Sequence, residues 1–173
     1  PNGCSSSDMV TVIDNTAIPD LAVNTPTDIT CLALTSTISG TSSIGVNTSW
    51  VRILGTGNIA SNTAPITTVD GPGTFRVTIT SLANGCSNTA DVVVNQNIAP
   101  PGLNVTSPAS NILTCNVLNV QVEATTTVAG SSYNWTTAIA GANISDASVA
   151  NPFFDLPGIY NVLATHPVSG CTQ

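Results

Sequence analysis

Residues 70–94 read DGPGTFRVTITSLANGCSNTADVVV. Pro72 presets its own φ, and Gly71 and Gly73 accept turn conformations that side chains exclude. Phe75, Val77 and Ile79 then alternate with Arg76, Thr78 and Thr80, the period-2 pattern of a strand with one buried face. Leu82 to Gly85 break the run. After Cys86 a second alternation sets Ala90, Val92 and Val94 on one face. A similar alternation runs through Val120, Val122 and Ala124, with Gln121 and Glu123 between them. No stretch carries a long apolar i, i+3, i+4 pattern, so the expected class is all-β.

Composition agrees. Ser and Thr make up 44 of 173 residues, while charged residues are only 6%. Thr and Val are stiff at Cβ and suit a pleated surface. There is no Lys, and Arg52 and Arg76 are the only strong bases of a chain with net charge −7. Phosphate binding needs clustered cations, so no nucleic-acid partner is expected. No run reaches the roughly 18 apolar residues of a membrane span, so no membrane insertion is expected either.

Working outward, the landmarks of this stretch recur. Asn84-Gly85-Cys86 has counterparts at Asn2-Gly3-Cys4 and Ser169-Gly170-Cys171. Asp70 to Phe75 matches Asp155 to Tyr160 at a spacing of 85. Thr30-Cys31 matches Thr114-Cys115 at a spacing of 84, and Trp50 matches Trp135 at 85. A fixed period of this length marks tandem units of about 83–85 residues. Gly, Pro, Asn and Ser clusters separate the alternating runs, the pattern of a β-sandwich. Pro19 and Pro100-Pro101 mark the junctions. The expected division is residues 1–17 as the last strand of a preceding repeat, with Val10 and Val12 inward, 18–98 as repeat one, and 99–173 as repeat two without its final strand.

Each full repeat holds two cysteines. Pairing within repeats gives Cys31–Cys86 and Cys115–Cys171, at separations of 55 and 56, and leaves Cys4 unpaired by truncation. Zinc sites use closely spaced cysteines, whereas the nearest two here are 27 apart. No metal or cofactor is expected. A loop of this length stabilises by about 4 kcal/mol on the chain-entropy argument. Disulfides place the chain in an oxidising, extracellular setting.

Leu-Thr-Cys, a tryptophan strand, Asp-x-Pro-Gly-x-Tyr/Phe, Asn-Gly-Cys and a Val-rich strand together resemble the PKD-like and Ig-like repeats of giant cell-surface adhesins from Bacteroidota. These include gliding-motility adhesins exported by the type IX system. The resemblance covers essentially the whole chain. It implies tandem immunoglobulin-like β-sandwiches acting as stalk and display modules, with neighbouring repeats, surface polysaccharide or other cells as partners.

Other candidate chemistry weighs less. His166, the only histidine, is expected in a solvated turn, and its counterpart is Ser81, so no catalytic triad and no enzyme is expected. Calcium needs several converging oxygens. Asp14 and Asp20 supply two carboxylates at one junction, but the equivalent Gln96–Pro101 segment supplies none. Asp70 and Asp155 are expected to fix the turns that follow them. Asn47, Asn104, Asn134 and Asn143 head N-glycosylation sequons, a number that chance alone predicts in this composition. Trp50, Trp135, Phe75 and Tyr160 are expected in the cores and not as sugar-stacking platforms. The resulting expectation is a non-catalytic stalk or filament module of a secreted or cell-surface adhesin. Its rivals are a glycan- or protein-binding Ig-like module and an accessory domain of a secreted enzyme.

Overall fold

A computed structural model describes residues 2–107 and 110–173; Pro1, Pro108 and Ala109, which fall within the expected first segment and second repeat, lie outside the described residues. The described residues form strands and no helix. In chain order the strands are β1 (Ala22–Val23), β2 (Ile29–Thr30), β3 (Ser36–Thr41), β4 (Val46–Gly55), β5 (Ile66–Val69), β6 (Gly73–Ser81), β7 (Ser87–Val94) and β8 (Gln96–Asn97). They continue as β9 (Leu103–Thr106), β10 (Val120–Gln121), β11 (Glu123–Thr126), β12 (Ser132–Thr137), β13 (Phe153–Phe154) and β14 (Tyr160–Thr165).

Two compact units share them. The first comprises Pro1–Pro26, Thr37–Val69 and Gly73–Val93. Here β4, β6 and β7 form one sheet, and β1, β3 and β5 the other. Trp50 of β4 faces Val77 of β6 in an antiparallel register. Phe75, Val77, Ile79, Val92, Trp50, Ile38 and Val69 are buried, so the alternation of residues 75–79 is the core face of β6. Gly40 shows how closely the sheets approach: a Cβ there would lie 2.7 Å from the Val77 side chain.

The second unit comprises Thr27–Ser36, Asp70–Pro72 and Val94–Gln173. Its ladders are β9 with β11, β10 with β13, and β12 with β14, all antiparallel, together with β2 running parallel to β8. Ala124, Trp135 and Phe154 form its core, flanked by the half-buried Val122, Tyr160 and Val162. Phe154 bridges the aromatic group, with ring centroids 5.3 Å from Trp135 and 4.1 Å from Tyr160.

The unit boundary therefore differs from a cut between residues 98 and 99. Thr27–Ser36 belongs with the later residues because β2 pairs with β8 through Ile29↔Gln96 and Thr30↔Asn97. Residues 7–13, expected as the last strand of a preceding repeat, join no ladder of this chain. Val10 and Val12 are exposed, and no ladder includes them. Alternation marks a segment able to be a strand, but only a partner edge makes it one.

Many contacts recur at one period across the two units. Trp50 N–H donates to Asn62 O and Trp135 N–H to Ala147 O, each at 2.8 Å. Ala60 N–H donates to Thr68 O, and Ser145 N–H to Phe153 O. Isolated bridges pair Ile59 with Val69 and Ile144 with Phe154.

Candidate functional site

Two kinds of turn carry four of the five cysteines. The first is a threonine turn. Thr30 N–H donates to Ala33 O at 2.9 Å, while Thr30 Oγ1 accepts the Leu32 and Ala33 amides at 3.3 and 3.0 Å. Thr114 repeats it, donating to Val117 O at 2.9 Å and accepting the Asn116 and Val117 amides at 3.3 and 3.1 Å. Cys31 and Cys115 follow these threonines and are both exposed.

The second is a glycine turn. Ser81 N–H donates to Cys86 O at 2.9 Å, and Gly85 N–H returns to Ser81 O at 3.0 Å. His166 N–H donates to Cys171 O at 2.8 Å, and Gly170 N–H returns to His166 O at 3.0 Å. Gly85 and Gly170 have φ of 74° and 69°, a left-handed conformation that glycine alone adopts without cost. Residues 82 to 86 thus form the link between β6 and β7, and residues 166 to 171 follow β14 in the same way.

The disulfide joins one turn of each kind. Cys31 is bonded to Cys171, with Cα atoms 5.1 Å apart across 140 residues of sequence. This corrects the expected Cys31–Cys86 and Cys115–Cys171 pairs: Cys86 and Cys115 are free thiols, as is Cys4. The reason is the length of β7. Thr30 is in register with Asn97, beyond the far end of the strand that Cys86 precedes. Bonded cysteines have Cα atoms within about 7 Å, a separation that Cys31 meets with Cys171. Sequence separation alone could not reveal which end of β7 the threonine turn occupies.

The contact is more than the sulfur pair. Leu32 lies over Gly170 so closely that a Cβ there would come within 2.2 Å of Leu32 Cγ. Cys171 Sγ is 3.9 Å from the Asn97 carbonyl. Cys171 is buried, as is Ser169 beside it.

The other singled-out residues take varied places. Trp50, Trp135 and Phe75 are buried, and Tyr160 is half-buried with its hydroxyl donating to Leu156 O at 2.8 Å. Asn47, Asn104, Asn134 and Asn143 are all exposed. His166 is half-buried and has a local task, since its Nδ1 accepts the Val168 and Ser169 amides at 3.1 Å. Asp155 accepts the Asn143 amide at 2.8 Å, which ties it to the loop before β13 and not to the turn after it.

The two carboxylates weighed for calcium are engaged by hydroxyls and amides. Asp14 accepts the Thr16 hydroxyl and amide, and Asp20 accepts the hydroxyls of Ser42 and Ser43 and the Ser43 amide. These bonds hold both carboxyls below the usual carboxylate range, through Thr16 for Asp14 and chiefly through Ser43 for Asp20. Among the described residues no group of three or more His, Cys, Asp or Glu is placed to hold a metal ion. Among those residues, too, no helix is long and apolar enough to cross a membrane.

Sequence reading missed the Arg76–Asp91 ion pair, at 2.7 Å on the exposed faces of β6 and β7. The outward alternation of both residues was its signal. It also missed a cleft of about 480 Å³ in the second unit, lined by Ile112, Leu113, Trp135, Phe154 and Tyr160 among others. No sequence feature pointed to it.

No family model matches the chain, and no curated protein matches it. Solved structures similar to it include a mouse coronavirus receptor-binding domain complexed with its murine receptor, at 9% identity and TM-score 0.38, covering 88% of this chain and 96% of that one. Murine CEACAM1b is similar at 12% identity and TM-score 0.35, covering 88% and 94%. The titin domains Z1Z2 in complex with telethonin match at 13% and 0.34, covering 92% and 95%. Likeness at this level carries no argument about this chain, whose all-β class rests on its own ladders.

Proposed function

We propose that this chain is a stalk module of an extracellular, cell-surface adhesin, built from tandem immunoglobulin-like (PKD-like) β-sandwich repeats. The observation that carries the reading is the Cys31–Cys171 bond, which ties a turn of one sequence repeat to a turn of the next. Both cysteines lie in the second compact unit, and the loop between them includes most of the first. The bond gives tension a route that bypasses the backbone of residues 32–170. The recurrence of the tryptophan, threonine-turn and glycine-turn contacts supports the repeat reading. A disulfide also fits an oxidising compartment outside the cytoplasm.

Pulling on the chain ends in a single-molecule force experiment tests this. Without reductant, extension should stop at the residues outside the loop. Added thiol should then release roughly 500 Å, the reach of 140 residues at up to about 3.6 Å each. Full extension without reductant would overturn the mechanical role. Antibody labelling of intact source cells checks the location, and labelling confined to permeabilised cells would overturn it.

A second reading, ligand binding, is favoured by the apolar cleft over Trp135, Phe154 and Tyr160. Its test is a shift of tryptophan fluorescence on titration with glycans or apolar peptides.

A further inference from the structure

We propose that Cys86 and Cys115 are half-cystines of the same inter-repeat linkage, each bonding to a cysteine of an adjacent copy of this repeat. In each case the threonine-turn cysteine of one repeat bonds the glycine-turn cysteine of the repeat that follows. The inference rests on the repeat-array reading and extends it from one bond to a rule.

Local geometry sorts the cysteines into two classes. Cys31 and Cys115 occupy matching threonine turns, whose paired hydrogen bonds measure 3.3 and 3.0 Å in one and 3.3 and 3.1 Å in the other. Cys86 and Cys171 occupy matching glycine turns. The one bond formed joins a member of each class, from the earlier repeat to the later. Cys31 and Cys171 thus use one threonine-turn and one glycine-turn position, and Cys115 and Cys86 are left as one of each.

A second observation concerns the seat around the glycine. Gly170 is covered by Leu32 of the bonded turn, whereas at Gly85 a Cβ would meet nothing within 4 Å. The face that receives a threonine turn at Cys171 is open at Cys86. A third is the path of the entering chain. Asn84 Nδ2 donates to the Asn15 and Ala17 carbonyls at 3.0 and 2.9 Å, so the segment leading into the first repeat runs beside its glycine turn. Asn97, 82 residues after Asn15, has its carbonyl 3.9 Å from Cys171 Sγ, so the segment leading into the second repeat also runs beside a glycine turn. The segment that leads to Cys171 carries the β2–β8 pairing and the threonine turn with it. The same construction around residues 15–17 would bring a preceding threonine turn to Cys86.

In each new bond two S–H groups give up two protons and two electrons to an oxidant, and one S–S bond forms. The oxidant is a disulfide, either of a small thiol or of an extracytoplasmic thiol–disulfide oxidoreductase, and it is reduced to two thiols. A loop of 140 residues is longer than one repeat, so loops that start once per repeat overlap. Every peptide bond in the interior of the array then lies inside at least one loop, so a single proteolytic cut there cannot release the distal part.

The test uses two variants of this chain. One carries C4S and C86S and keeps Cys115 as its only free thiol; the other carries C4S and C115S and keeps Cys86. They are mixed in equal amounts in a glutathione redox buffer, and covalent dimers are counted by mass spectrometry without reduction. The mixed Cys115–Cys86 dimer should exceed the two homodimers together by about tenfold, because docking raises the effective concentration of the correct pair. A statistical mixture, or no dimer, would overturn the proposal. Peptide mapping of the same samples separates the two readings. Cys31–Cys171 intact with statistical dimers removes this proposal alone, whereas Cys31 bonded to Cys86 in the parent chain removes the repeat-to-repeat reading beneath it.

Discussion

Trp50 and Trp135 make the same hydrogen bond from the same place in two cores: Nε1 of Trp50 donates to Ala64 O at 3.0 Å, and Nε1 of Trp135 to Val149 O at 2.9 Å. Each indole fills its core and leaves no donor unsatisfied. Trp50→Ala should destabilise the chain by about 3 to 5 kcal/mol through the cavity it leaves. Trp50→Phe keeps much of the volume and orphans the Ala64 carbonyl, so it should also cost stability, by about 1 to 3 kcal/mol for the lost partner. Chemical denaturation of both variants checks the order. Equal losses would show that the cavity adds nothing beyond the lost hydrogen bond, and an unchanged Trp50→Phe would show that the hydrogen bond contributes nothing.

Gly170 and Gly85 share a backbone conformation and differ in what surrounds them. Alanine at either site carries the left-handed penalty of about 1 to 2 kcal/mol. At Gly85 that should be the whole effect. Gly170→Ala must also displace Leu32, so it should lose more stability and slow formation of the Cys31–Cys171 bond. Thermal melts and the rate of oxidative refolding measure the two effects, and identical behaviour of G85A and G170A would contradict the packing described.

Asp20 links the start of the first unit to the β3–β4 turn through Ser42 and Ser43. The Ser43 hydroxyl, then its amide, then the Ser42 hydroxyl hold the Asp20 carboxyl below its ordinary value. A lowered pKa in the folded state means stability that is present above the unfolded value and is lost as pH falls through the folded one. Asp14 with Thr16, Asp91 with Arg76 and Asp146 with Ser148 act in the same direction. Melting temperature should therefore hold steady above about pH 5 and fall between roughly pH 5 and pH 2. Asp20→Asn should lower stability at neutral pH and flatten that fall. A variant with an unchanged acid profile would show that Asp20 is not a linked group.

Much of the fold was legible because a buried strand face writes itself as alternation. Phe75, Val77 and Ile79 show it in sequence and are buried in β6. The cysteine partners were not legible, because a period reports which positions are equivalent and not which face one another. Cys31 and Cys86 are separated by a plausible loop length, yet β7 carries its own length between them. The alternation of residues 7–13 likewise does not specify a partner edge, and this chain pairs them with none. Asp155 was misassigned because a turn aspartate can accept a near or a distant amide, and only the placement of Asn143 decides.

The disulfide pairing gives the most direct check, since the chain has few cleavage sites and they fall between the cysteines. Arg52 and Arg76 are the only sites for trypsin, and Glu123 is the only glutamate. Denatured protein with its free thiols alkylated, cut after these three residues, yields peptides 1–52, 53–76, 77–123 and 124–173. Cys31 lies in the first and Cys171 in the last, while Cys86 and Cys115 share the third. The observed bond predicts that, without reduction, 1–52 and 124–173 migrate as one species and 77–123 is released alone with two alkyl groups. Pairing within repeats predicts instead that 77–123 holds the other two together and carries no alkyl group. Peptide 1–52 distinguishes the schemes no further, because Cys4 is free in both and gains one alkyl group either way. A released, doubly alkylated 77–123 peptide is therefore the decisive product. Its absence, with a three-peptide species in its place, would return Cys31 to Cys86 and end the case for a linkage that crosses from one repeat to the next.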